Sequence, residues 1–183
     1  MSKVYVIFAE GFEEIEGLTV VDILRRADVE VCMTGLNTKE RVTGAHGIGV
    51  WMDRALEEIH LEDDDAVVLP GGMPGTRYLA ESEHLAGVLR QANEKKLRLA
   101  AICAAPSVLG GLGLLKGKKA ACYPGFEEKL TGAEVLFESV VTDGNITTSR
   151  GMGTAIDFAL ELVRILKGEN QAKEVAGSIL YQK

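Results

Sequence analysis

The sequence predicts a doubly wound α/β sandwich, a mostly parallel sheet covered by helices on both sides, and three observations carry that prediction. Short β-branched runs alternate with amphipathic helical patterns, and the runs are apolar on both faces, as strands are when helices cover both sides of a sheet. The length, 183 residues, fits one domain spanning 1–183 with a core of ordinary size.

Taken in order, residues 4–9 (VYVIFA) read as the first strand and 14–27 as a helix whose acidic first turn complements its dipole. Residues 29–34 form the second strand, and 42–52 read as an antiparallel addition rich in glycine. Strands at 66–69 and 97–102 follow, with helices over 84–96 and 104–115. The segment 134–149 reads as a second antiparallel addition turning at Asp143-Gly144. In 154–167, Ala155, Phe158, Ala159, Leu162, Val163 and Leu166 share one helical face, which predicts a helix packed on the sheet. A last helix is expected over 169–179. No linker, repeat or low-complexity tract interrupts the pattern.

Composition excludes several classes of function. A formal charge of -7 and a pI near 5.1 oppose binding to a phosphate backbone, and no basic run exceeds two residues. Met1-Ser2-Lys3 ahead of the first apolar run is too short for a secretory leader, and no apolar stretch is long enough to cross a bilayer. A soluble cytoplasmic protein is expected. The three cysteines are widely spaced without a CxxC, as in a reducing compartment, and the three histidines form no zinc-like cluster with them. No metal and no cofactor are expected.

Cys103 is the leading candidate for chemistry. It lies where the apolar strand 97–102 runs into the small-residue turn Cys103-Ala104-Ala105 and a helix. Such a turn strains the backbone and lifts the side chain at the carboxyl edge of the sheet, beside a helix N-terminus. Both features favour a thiolate. Buried free cysteines are also commonly inert, so the local context leaves both readings open. Cys32 and Cys122 read as packing residues.

Glu16 is the second candidate. It heads the stripe Glu16, Val20, Ile23, Ala27, so a carboxylate stands on an apolar helix face. Burial there raises a carboxyl pKa and lets it donate a proton to a thiolate. Glu13 and Glu14 read as dipole complements. The loop Pro70-Gly71-Gly72-Met73-Pro74-Gly75-Thr76 leaves the same sheet edge, and its bare N–H groups, with that of Ala104, form a candidate oxyanion hole. Gly110-Gly111-Leu112-Gly113 reads as a helix ending, not a phosphate cradle. His46, in the glycine-rich hairpin, reads as a surface residue or a polar wall, and His60 and His84 as solvated.

Over essentially the whole chain these residues resemble the ThiJ/PfpI superfamily, in particular its parkinsonism-associated deglycase branch. The resemblance is carried by Gly11-Phe12-Glu13-Glu14-Ile15-Glu16, Val67-Val68-Leu69-Pro70-Gly71-Gly72, Ala100-Ala101-Ile102-Cys103-Ala104-Ala105-Pro106 and Thr148-Ser149-Arg150-Gly151-Met152-Gly153-Thr154. It implies a flavodoxin-like fold of the class I glutamine amidotransferase type. It also implies that Cys103 is the reactive, oxidation-prone cysteine, Glu16 its protonated partner, and Gly72 and Ala104 the oxyanion donors. A homodimer with the site near its interface is implied as well, with Gly71, Tyr123, His46 and Arg26 as wall candidates.

The activities implied need no cofactor. They are glyoxalase conversion of methylglyoxal to lactate, deglycation of methylglyoxal adducts, and redox-regulated chaperone or sensor behaviour; an older thiamine-biosynthesis label accompanies such sequences. The expected partners are small electrophilic carbonyl compounds or glycated adducts, with nucleic acid involved only as a glycated substrate. The chain departs from the pattern where many glyoxalase members carry a histidine, a position that aligns with Tyr123. A phenol is a poor general base beside imidazole, so a protease is not expected and turnover should be slow. Two readings follow: an enzyme acting on α-oxoaldehydes through Cys103, or a non-enzymatic sensor or chaperone switched by oxidation of Cys103.

Overall fold

A computed structural model describes residues 3–182; the leader reading at Met1 and Ser2 lies outside the described residues. The chain runs β1 (Lys3–Phe8), α1 (Glu14–Arg26), β2 (Glu30–Gly35), a hairpin of β3 (Arg41–Thr43) and β4 (Gly49–Trp51), then β5 (Arg54–Ala55) and β6 (Ala66–Leu69). It continues through α2 (Gly75–Glu81), α3 (Glu83–Glu94), β7 (Arg98–Ile102), α4 (Pro106–Gly111), β8 (Lys119–Ala120) and β9 (Glu134–Val135). The hairpin β10 (Val140–Asp143) and β11 (Ile146–Ser149) precedes α5 (Ala155–Lys167) and α6 (Glu169–Ser178).

Seven strands form the main sheet in the order β10-β11-β7-β6-β1-β2-β5. Every neighbouring pair is parallel except β10 with β11. The mostly parallel sheet flanked by helices is the flavodoxin-like α/β fold that the sequence predicts.

Alternation along β1 shows why both faces are covered. Val4, Val6 and Phe8 join the core beneath α1 and α5, whereas Tyr5 and Ile7 join the core beneath α3 and α4. Phe8, Leu24 and Phe158 on the first side, and Leu85, Leu89 and Leu109 on the second, are fully buried. Each such side chain contributes about 1.5–3 kcal/mol.

Chain order reverses between β1 and β6, since β1 continues outward to β2 and β6 continues the other way to β7. Such a switch point opens a crevice at the carboxyl ends of the strands. The turns after β1, β6 and β7 meet there.

Several boundaries differ from the sequence prediction. The 42–52 hairpin forms its own two-stranded sheet, and the short β5 is the segment that extends the main sheet. Only β10 in the 134–149 segment is antiparallel within the main sheet: β11 pairs in parallel with β7, and β9 pairs with β8. The helix predicted over 104–115 occupies only Pro106–Gly111, and the chain leaves it through Gly113, whose φ of +74° is left-handed and cannot continue a right-handed helix. The helix α2 was hidden by the glycines and prolines preceding it.

Candidate active site

Cys103 follows β7 with φ +66°, a left-handed conformation that costs a non-glycine residue about 1–3 kcal/mol. Neighbouring backbone enforces it: the Cys103 N–H donates to the Ser149 carbonyl (3.0 Å), and the Cys103 carbonyl accepts from the Tyr123 N–H (2.8 Å). The strained strand-to-helix elbow is therefore present, and the half-buried thiol stands at the crevice.

Glu16 approaches from α1. Its stripe is buried as the periodicity requires, with Glu16 and Val20 each 1% exposed, Ile23 3% and Ala27 1%. The Gly71 N–H donates to Glu16 Oε2 at 2.9 Å. The other oxygen, Oε1, meets no N–H or O–H donor. The Glu16 carboxyl and the Cys103 thiol each shift the titration of the other. Gly71 cannot be anything larger, because a Cβ there would lie 2.6 Å from both Cys103 Cβ and Glu16 Oε2.

Burial pushes the Glu16 carboxyl up to about 7, against the pull of the Cys103 thiol and the Gly71 N–H. Burial pushes the Cys103 thiol up to about 12, and the negative charge of Glu16 adds to that; the N–H groups of Ala104 and Gly72 pull it down. Desolvation thus opposes the turn strain and the helix N-terminus, which favour a thiolate. Between the two values the pair holds one proton, shared as thiol and carboxylate or as thiolate and carboxylic acid.

Glu14 forms the rim. It accepts from the N–H groups of His46 (2.8 Å) and Ile48 (3.4 Å) on Oε1, while His46 Nδ1 lies 3.0 Å from Oε2. Burial pushes its carboxyl up, but the His46 ring and these N–H groups outweigh burial and hold it below the usual range. The same contact, with Glu13 Oε2 at 3.6 Å, raises the exposed His46 imidazole. Glu13, Glu14 and His46 bring potential metal-ligating atoms within 4.8 Å of one another, the one such grouping among the described residues. These atoms already engage each other.

An open cavity of about 660 Å³ covers the pair. Its lining includes Glu13, Glu16, His46, Gly72, Cys103 and Ala104, together with Tyr123, Phe126, Arg150 and Met152. Hollows of about 820 Å³ lie beside α6 and at the amino edge of the sheet, without cysteine or histidine. Gly71 does not line the cavity, since it is buried between Cys103 and Glu16. Nor does Arg26: ten residues beyond Glu16, about 15 Å along the helix, it pairs with Asp22 at 2.7 Å on the surface. A wall role for Arg26 therefore requires a second copy of the chain.

Sequence reasoning missed two site features. One is the Glu14–His46 contact, made by the return of the β3–β4 hairpin. The other is Arg150, which the sequence places within the Thr148–Thr154 signature without giving it a role in the site.

Residues 2–165 match the profile of the DJ-1/PfpI family. Protein dj-1beta of Drosophila melanogaster is 39% identical over 183 residues, covering 98% of each chain. Its crystal structure superposes with a TM-score of 0.94 over 100% of both chains. Oxidised DJ-1 of Toxoplasma gondii superposes at 0.92 with 35% identity, again over 100% of both. Glutathione-independent glyoxalase DJR-1.2 of Caenorhabditis elegans is 33% identical over 168 residues, 91% of this chain and 89% of its own. With this elbow, this acid and these matches, the chain belongs to the DJ-1/PfpI family.

Proposed function

We propose that this protein is a cofactor-independent stress-response enzyme that consumes α-oxoaldehydes such as methylglyoxal, or their adducts, through Cys103. The observation that carries the reading is the buried Glu16 carboxyl packed with the Cys103 thiol beneath one cavity, Gly71 lying against both. The sulfur bonds to the aldehyde carbon, the carbonyl π pair moves to oxygen, and the pair's proton neutralises that oxygen. The N–H groups of Gly72 and Ala104 stabilise the developing oxyanion. Glu16 then removes the proton from the former aldehyde carbon and returns one to the neighbouring carbon, so the first is oxidised and the second reduced. Water cleaves the resulting lactoyl thioester, releasing lactate and the thiol.

Support also comes from the relative named a glutathione-independent glyoxalase. The test is lactate formation from methylglyoxal. Cys103→Ala should abolish it, and lactate output unchanged in that variant overturns the reading.

A second reading is favoured by the N–H groups of Ala104 and Gly72, which already point at the resting sulfur. In this reading Cys103 is a peroxide sensor, oxidised to a sulfinate held by those donors and Glu16. Two added oxygens on Cys103 by intact mass, without turnover, would select it. We also propose a cytoplasmic homodimer: Ile15, Ile48 and Trp51, 50%, 54% and 73% exposed around α1 and the β3–β4 hairpin, are apolar surface that a second copy would cover.

A further inference from the structure

We infer that the cavity over Cys103 contains an anion subsite built on Arg150, so that the substrates it takes best are small carbonyl compounds that also carry a carboxylate. The inference rests on the reading of Cys103 as the nucleophile. Parallel pairing fixes the position: Ser149 is the register partner of Ile102, so Arg150 stands beside Cys103 at the sheet edge. The Cys103 N–H bond to the Ser149 carbonyl locks that juxtaposition.

Arg150 lines the cavity but makes no hydrogen bond or ion pair among the described residues, and its Nε is buried without an acceptor. Its guanidinium rests 5.6 Å from the centre of the Phe137 ring, a contact that orients the group without using its N–H donors. The other charges in the cavity are already matched. Glu13 lies against His46, and Glu16 is shared with Cys103. An arginine fork with a buried, unused donor in a cavity of this size suits a carboxylate supplied by the ligand.

In the step that follows, the Cys103 sulfur bonds to the carbonyl carbon and the π pair moves to oxygen, which takes the thiol proton by way of Glu16. The carboxylate is unchanged and serves as a handle.

Two alkylating probes of nearly equal size, iodoacetate and iodoacetamide, test this without any turnover. Each forms a bond from sulfur to carbon and expels iodide, and peptide mass analysis reads Cys103 separately from the buried Cys32 and Cys122. Arg150→Met should lower the iodoacetate-to-iodoacetamide rate ratio at Cys103 about tenfold, while the iodoacetamide rate stays within about twofold. Arg150→Lys should keep part of the preference. An unchanged ratio in Arg150→Met overturns the subsite, and so does a collapse of the iodoacetamide rate, which would make Arg150 a structural support. In the wild type, L-lactate should protect Cys103 from iodoacetamide where propane-1,2-diol does not; equal protection also overturns it. A wild-type Cys103 no faster with iodoacetamide than a free cysteine would instead defeat the nucleophile reading.

Discussion

Glu14 and Glu16 stand two residues apart at the head of the same helix, both at least 96% buried, yet their acidities move in opposite directions. Glu14 is surrounded by donors, two backbone N–H groups and an imidazole, which favour its charge. Glu16 has one N–H and a thiol within an apolar stripe, so desolvation dominates. Burial alone does not decide whether a carboxyl is charged. The number of donors that come with the burial does, and here it holds the Glu14 carboxyl below the usual range and leaves that of Glu16 above it.

The largest expected effect of breaking the contrast is on chemistry. Glu16→Gln removes the proton carrier and should lower lactate formation about 10²- to 10⁴-fold. Wild-type activity should rise with pH through about 7, as the pair goes from two protons to one, and the variant should lose that limb. A pH–rate profile of both proteins checks this.

Next comes stability against pH. Glu16 binds its proton more tightly folded than unfolded, rising from an ordinary 4.5 to about 7. Its contribution is therefore complete below 4.5 and is lost as pH rises through 7, amounting to about 3 kcal/mol. Denaturant titrations at pH 5 and pH 8.5 should show wild type losing about that much more than Glu16→Gln. Glu14 has the opposite slope: its contribution is present at neutral pH and lost on acidification.

Glu14→Gln should cost about 1–2 kcal/mol at pH 7, the loss of charge-assisted hydrogen bonds, and the penalty should shrink in acid. Thermal unfolding at pH 7 and pH 4 reads it. The smallest effect is that of His46→Gln, whose exposed ring should shift Tm by no more than about 2 °C while the Glu14 titration moves up. Carbon-13 NMR of the Glu14 carboxyl follows that movement.

Sequence periodicity reached the Glu16 side of this contrast and not the Glu14 side. A 3.6-residue stripe needs only local geometry, so Glu16 ahead of Val20, Ile23 and Ala27 was legible, as was the elbow at Cys103, where a buried strand meets small residues. Glu14 read as a dipole complement because its donors arrive from a hairpin more than thirty residues away. That hairpin closes because Gly44 leaves no side chain between it and the Glu14 carboxyl. The place of Arg150 beside Cys103 was illegible for a similar reason, although the residue stands within the Thr148–Thr154 signature. The alternation of 134–149 announces a hairpin, but it does not reveal that the second strand pairs in parallel with β7, and that pairing delivers the arginine to the thiol. Local context left the acidity of Cys103 open because the cost of desolvation depends on everything packed around the sulfur.

The 2.9 Å bond from the Gly71 amide to Glu16 Oε2 also gives the protein a built-in indicator. An amide hydrogen that faces a carboxylate resonates downfield of one that faces a carboxylic acid, so the Gly71 signal tracks the charge on Glu16 without touching either reacting group. Followed as an electrophile or an oxidant reaches Cys103, that single resonance distinguishes a proton that has moved onto the substrate from one that has remained on the acid.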